Sequence, residues 1–177
     1  MAVNIAHRGA RSLAPENTLP AGQKGLAVGA DMWETDVTVT RDGVLILMHD
    51  DTLVRTTNAA VRFPDKKPWN VATFTLAEVQ ALDAGAWFLS SDPFGQISAG
   101  VVDPGLEDFA NTPVPTLEEA LVFTKENNWI VNLELKPNPP PMDQYPVVAR
   151  TLQMIDSVGI DPQQVVISSF HLSLIHI

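Results

Sequence analysis

The sequence predicts an α/β fold with parallel strands: the N-terminal half of a TIM-type (β/α)8 barrel, with about four strand–helix units and one insertion. Three observations lead there. Short apolar runs alternate with segments of helical period, the pattern of parallel strands joined by crossover helices. Polar residues collect where the predicted strands end, and in such barrels that rim carries the active site. The chain has 177 residues, whereas a closed eight-stranded barrel typically needs about 250.

Each element follows from local chemistry. Val3–Ala6 is a short apolar run that stops at His7-Arg8-Gly9, a strand entering a loop. Asn17 to about Val28 is predicted as a helix, with Asn17 as N-cap, Pro20 in the first turn and Gly29 ending it. Met32–Thr40 and Val44–His49 are strands around Asp42-Gly43, a pair that favours a two-residue type I′ hairpin. In that register Arg41 pairs with Val44, and His49 falls opposite Asp36.

Residues 51–115 carry scattered prolines and no sustained period, with one short helix, Leu76–Ala81, capped by Thr75. So long a segment is expected to be an inserted subdomain or lid rather than a plain loop. Thr116 then caps a helix running to about Asn127, with Glu119 completing a capping box. Ile130–Leu135 is a strand, Lys136 to Pro141 a stiff proline-rich loop, Tyr145–Val158 a helix ending at Gly159, and Val165–Ser169 the last strand. The tryptophans 33, 69, 87 and 129, with Leu45 and Met48, are expected to be packing residues.

Composition narrows the function. The net charge of −10 disfavours a polyanionic partner, so no nucleic acid is expected. The absence of cysteine excludes disulfides, thiolate catalysis and sulfur-ligated zinc. No apolar run approaches the ~20 residues of a membrane-spanning helix. With no charged-then-apolar leader, the expected location is cytoplasmic, or periplasmic or secreted where a signal peptide has been removed.

The strand ends then supply chemistry. Glu34 and Asp36 are two apart on one strand, so both carboxylates share a face. Glu134 and Lys136 repeat the spacing on another strand. Inward-facing acids need a partner or a metal, and three carboxylates suit the oxygen-seeking cations Ca2+ or Mg2+. His7 and His49, each beside a charged neighbour (Arg8, Asp50), form a candidate acid–base pair. His171 and His176 lack such neighbours and are read as incidental. Arg8 offers a planar guanidinium for a phosphate.

Ala6-His7-Arg8-Gly9, Pro15-Glu16-Asn17-Thr18, Glu34-Thr35-Asp36-Val37 and Met48-His49-Asp50-Asp51-Thr52-Leu53-Val54-Arg55-Thr56-Thr57-Asn58 together resemble the glycerophosphodiester phosphodiesterase family. Pro115-Thr116-Leu117-Glu118-Glu119, Asn132-Leu133-Glu134-Leu135-Lys136 and Ser168-Ser169-Phe170 extend the resemblance, in order, over nearly all of the chain. It implies a (β/α)8 barrel with an insertion after the second strand. It also implies Glu34, Asp36 and Glu134 as ligands of a divalent cation, and His7 and His49 as acid and base. Arg8 and Lys136 would contact the phosphate, with Glu16 and Asn17 in support. The implied reaction is hydrolysis of a small-molecule phosphodiester, such as glycerophosphocholine, to glycerol 3-phosphate and an alcohol.

Two other readings share these residues: a lipid phosphodiesterase of phospholipase C or sphingomyelinase D type on the same barrel, and a module that only binds metal or phosphate. Four strands cannot close a barrel and leave both sheet edges open. The chain alone is therefore expected to be inactive or poorly soluble unless it pairs with another half.

Overall fold

The computed structural model describes residues 2–175; His176 lies outside them. The elements are β1 (Ile5–Ala6), α1 (Leu19–Ala27), β2 (Met32–Val39), β3 (Leu45–Leu47), α2 (Ala59–Arg62), α3 (Leu76–Gln80), α4 (Ala86–Ser91), α5 (Leu117–Glu126), β4 (Val131–Leu135), α6 (Val147–Val158), β5 (Val165–Ser168) and α7 (Leu172–Ile175). Four strands run parallel in the order β1-β2-β4-β5, and β3 lies antiparallel on β2.

The period of two along β2 and β4 divides their side chains between two environments. Trp33, Val37, Val131, Leu133 and Leu135 join the main core with Leu117 and Leu121 of α5 and Ile155 of α6. The alternate positions carry Glu34, Asp36, Asn132 and Glu134. Parallel register sets Glu34 beside Asn132 and Asp36 beside Glu134, so the acids of two distant segments become neighbours.

Trp33 is the centre of the core. Its ring stacks on Trp129 at 6.2 Å between centroids and meets Phe123 edge-on at 5.7 Å. Its indole N–H donates to Thr124 Oγ1 at 3.0 Å. Helix α1 packs tightly here because Gly25 has no side chain: a Cβ there would stand 2.9 Å from Ala6 Cβ and 3.2 Å from Trp129. The glycines that weaken α1 as an isolated helix are what let it approach the sheet.

Two local expectations are corrected. Asn17 does not cap α1. It adopts a left-handed φ of 55° and turns its amide toward β2, and Thr18 Oγ1 accepts from Ala21 N instead. The hairpin loop has three residues, not two. Val39 pairs with Leu45, Thr40 N donates to Val44 O, and only Gly43 of the loop has positive φ. A type I′ turn needs positive φ at both central residues, and Asp42 does not supply it; its carboxylate instead accepts from Thr40 Oγ1 and Leu76 N. The register moves by one, and Met48, not His49, faces Asp36 through a Met48 N to Asp36 O bond of 3.0 Å.

Residues 51–115 fold into short helices around two apolar clusters. One gathers Leu53, Val71, Phe74 and Val79 beneath Ile46 and Met48, and the other joins Phe88 and Phe109 to Ala14 and Ala21. Among the described residues, no helix is long and apolar enough to cross a membrane.

Candidate active site

Three strand ends converge at one rim. After β1 the chain turns through Arg8 and Gly9, both at positive φ. Gly9 N is shared between Ala6 O and Glu34 O at 3.1 Å, which ties the turn to β2. A Cβ on Gly9 would stand 2.6 Å from the backbone and side chain of Ala21. Gly9→Ala is therefore expected to destabilise the fold by about 2–4 kcal/mol, from strained φ plus overpacking. Urea unfolding followed by tryptophan fluorescence would measure it.

Glu34, Asp36 and Glu134 bring one carboxylate oxygen each within 4.8 Å of one another. Glu34 and Asp36 are almost fully buried, at 6 % and 1 % exposure. Glu34 Oε2 accepts from Arg8 N at 2.8 Å, while Glu34 Oε1 is buried and unpaired. Asp36 Oδ2 accepts from Asn17 Nδ2 at 2.9 Å, and Asn17 Oδ1 accepts from Asp36 N and Thr35 Oγ1. The Arg8 Nε and Lys136 Nζ lie 3.5 and 2.5 Å from Asp36 oxygens, ion-pair contacts not aligned as hydrogen bonds. Lys136 also reaches Glu134 at 3.8 Å and donates to His49 O at 3.3 Å. This oxygen-only donor set, with Glu34 Oε1 buried and unpaired, fits a hard divalent cation.

His7, Arg8, His49, Glu134 and Lys136 line one cavity of about 760 Å3. His7 Nε2 is 3.7 Å from Glu34 Oε2. Burial, then the charges of Arg11 and Arg8, lower the His7 pKa below its ordinary value. His49 Nδ1 lies 2.7 Å from Asp50 Oδ1. Glu16 sits behind the rim, 2.9 Å from Arg8 Nη1. All nine residues singled out from sequence are thus gathered around the carboxylate cluster.

Burial, then the charge of Asp36, pushes Glu34 up to about 7. The folded, metal-free chain then holds a proton that the unfolded chain has released, so this group's stabilisation fades as pH rises from about 4.5 to about 7. His7 acts in the opposite sense, since its lowered pKa removes stability as pH falls below about 6.5. Urea midpoints at pH 5 and pH 8 in EDTA would separate the two. The wild type is expected to lose roughly 1–3 kcal/mol more than Glu34→Gln over that range.

Three residues at the site were not assigned roles from sequence. Arg55 bridges Glu16 and Asp50; its position in the run after His49 is visible in the sequence, but its reach across 39 positions is not. Asn138 is buried in the cavity wall with Oδ1 unpaired, amid prolines that read only as a stiff loop. His171, read as incidental, is exposed and also lines the cavity.

Comparison with known proteins fits this arrangement. The family model described as the glycerophosphoryl diester phosphodiesterase family matches residues 7–176. The chain belongs to that family. It is 38 % identical over 162 residues to a mouse glycerophosphoinositol inositolphosphodiesterase, covering 91 % of this chain and 30 % of the mouse protein. It is 35 % identical over 172 residues to a glycerophosphodiester phosphodiesterase of Caldanaerobacter subterraneus, covering 96 % of this chain and 59 % of that one.

Among solved structures, the glycerophosphodiester phosphodiesterase of Agrobacterium tumefaciens superposes with TM-score 0.72 at 30 % identity, over 98 % of this chain and 60 % of the other. An Oleispira antarctica phosphodiesterase, solved with its product sn-glycerol-3-phosphate, superposes with TM-score 0.73 at 28 % identity, over 97 % and 58 % of the two chains. The chain thus spans between about a third and three fifths of these relatives.

Proposed function

We propose that this chain supplies the catalytic rim of a metal-dependent phosphodiesterase that hydrolyses glycerophosphodiesters to glycerol 3-phosphate and an alcohol. The observation that carries the proposal is the convergence of three carboxylates, one with a buried unpaired oxygen, beside a cavity that Glu134 lines together with His7 and His49. The product bound in the Oleispira relative supports the substrate class. We also propose that the four parallel strands are the first half of a (β/α)8 barrel. The strand order, with β1 and β5 each paired on one side only among the described residues, and the share of each relative covered support this.

Glu34, Asp36 and Glu134 would hold Ca2+ or Mg2+. When bound, such an ion offsets the charge that builds on the phosphoryl oxygens. Arg8 and Lys136 stand beside Asp36 and add fixed positive charge where an anionic diester would lie. Lys136 contacts the acid cluster directly and lines the same cavity as His7 and His49. His7 and His49 would carry the two proton transfers, one to the leaving alkoxide and one from the attacking hydroxyl. Asn17 fixes Asp36, and Glu16 orients Arg8.

The lipid-hydrolysing alternative calls for an exposed apolar lid. Phe74 and Phe88 are buried, and Phe63, Trp69 and Trp87 pack against the two insertion cores. Of the insertion aromatics only Phe94 is among the exposed large hydrophobics, and Arg11 stacks over it at 5.2 Å.

The test uses this chain joined to the C-terminal half of the Caldanaerobacter relative. Glycerophosphocholine and glycerophosphoinositol are expected to be hydrolysed and lysophosphatidylcholine spared. His7→Ala is expected to lower turnover by about 10²–10⁴-fold. Preference for the lysolipid would transfer the site to the lipid class.

A further inference from the structure

We propose that Arg55 is a positioning residue: its guanidinium ties Glu16 to Asp50, so that Asp50 holds His49 with the proton on Nδ1 and leaves Nε2 for the reaction. This rests on the phosphodiesterase reading above and gives one of its two histidines a defined tautomer.

The geometry is a double fork. Arg55 Nη1 and Nη2 donate to the two oxygens of Glu16 at 3.0 and 2.7 Å. Arg55 Nε and Nη2 donate to the two oxygens of Asp50 at 2.6 and 3.0 Å. A planar guanidinium can engage two carboxylates in this way, whereas an ammonium is a point charge. Glu16 is anchored independently by Arg8 at 2.9 Å, and Arg8 N is bonded to Glu34. The fork therefore joins the loop that carries His7 and Arg8 to the segment that carries His49.

Asp50 makes the link to the imidazole. Its oxygens already accept from Arg55, and that hydrogen bonding is the main cause of its pKa falling to about 2. An ionised carboxylate has no proton to donate, so across the 2.7 Å contact Nδ1 must be the donor. Nε2 of His49 has no hydrogen-bond partner among the described residues, and His49 lines the cavity. The imidazole is thus aimed and its tautomer chosen from behind.

The test reads the tautomer directly and needs neither metal nor substrate. The 177-residue chain, labelled with 15N-histidine, would be examined by long-range 1H–15N spectra above the imidazole titration, with His49 assigned through His49→Gln. Wild type is expected to show the Nδ1–H pattern for His49. Asp50→Ala and Arg55→Ala are expected to lose it, and Arg55→Lys, which keeps the charge without the fork, is expected not to restore it.

In the hydrolysis assay, Arg55→Ala is expected to lower kcat about 10–100-fold with KM within about twofold. An Nε2–H tautomer in wild type, an unchanged pattern in either alanine variant, or full rescue by lysine would overturn the proposal. Should Arg55→Ala fail to fold, the Arg55→Lys spectrum decides it. A joined protein that hydrolyses no glycerophosphodiester, while His49 keeps the Nδ1–H pattern, would sink the phosphodiesterase reading and leave the positioning geometry standing.

Discussion

Asp36→Asn is expected to weaken binding of Mg2+ or Ca2+ by more than about 100-fold and to remove hydrolysis with it. Asp36 is the most buried of the three acids, and it alone contacts Arg8, Asn17 and Lys136 together. Substitution takes one anionic donor from an all-oxygen set and leaves two cationic side chains facing a neutral amide. Loss of partners outside the coordination shell already lowers metal affinity 10–100-fold, so loss of a ligand should exceed that. Isothermal titration of each cation into the 177-residue chain reads the effect without substrate. Asp36→Asn binding the cation as wild type does would remove Asp36 from the ligand set.

Trp33→Ala is expected to be the most destabilising single core change, by about 3–5 kcal/mol. The residue is fully buried between Trp129 and Phe123 and donates to Thr124. Truncation opens a cavity beneath the strand whose next residue is Glu34, so cation affinity should fall with stability. Trp33→Phe keeps most of the ring and loses the indole N–H, and an effect of about 1–2 kcal/mol is expected from that hydrogen bond and the smaller ring. Far-UV circular dichroism during urea unfolding follows both variants without depending on tryptophan emission. Equal stability of Trp33→Ala and wild type would mean that α5 and the sheet do not pack through this ring.

The element order was legible because periodicity is a local property. The runs that became β2, β4, α5 and α6 each show their period within a few residues, and the cap at Thr75 and the capping box at Thr116 announce their helices. Glu34 and Asp36 were legible as a pair because two residues along a strand return to the same face. The hairpin register was not, because Asp-Gly serves both two-residue and three-residue loops, and contacts of Asp42 with Thr40 and Leu76 settle which. Asn17 was read as a cap because its type favours caps; its tertiary bonds to Thr35 and Asp36 outcompete that local role.

The fork of Arg55 was beyond sequence reasoning altogether. A long side chain can reach either of two acids or solvent, and only the assembled loops place Glu16 and Asp50 on either side of it.

The most direct test of the central claim is 31P NMR of glycerophosphocholine incubated with the chain joined to the relative's C-terminal half. The protein is first stripped with EDTA and then supplied with Mg2+ or Ca2+. The account predicts no change while the metal is absent and conversion to glycerol 3-phosphate once it is restored, with neither seen in Asp36→Asn. Equal conversion before and after the metal is restored, or none from a folded protein that binds the cation, would contradict it.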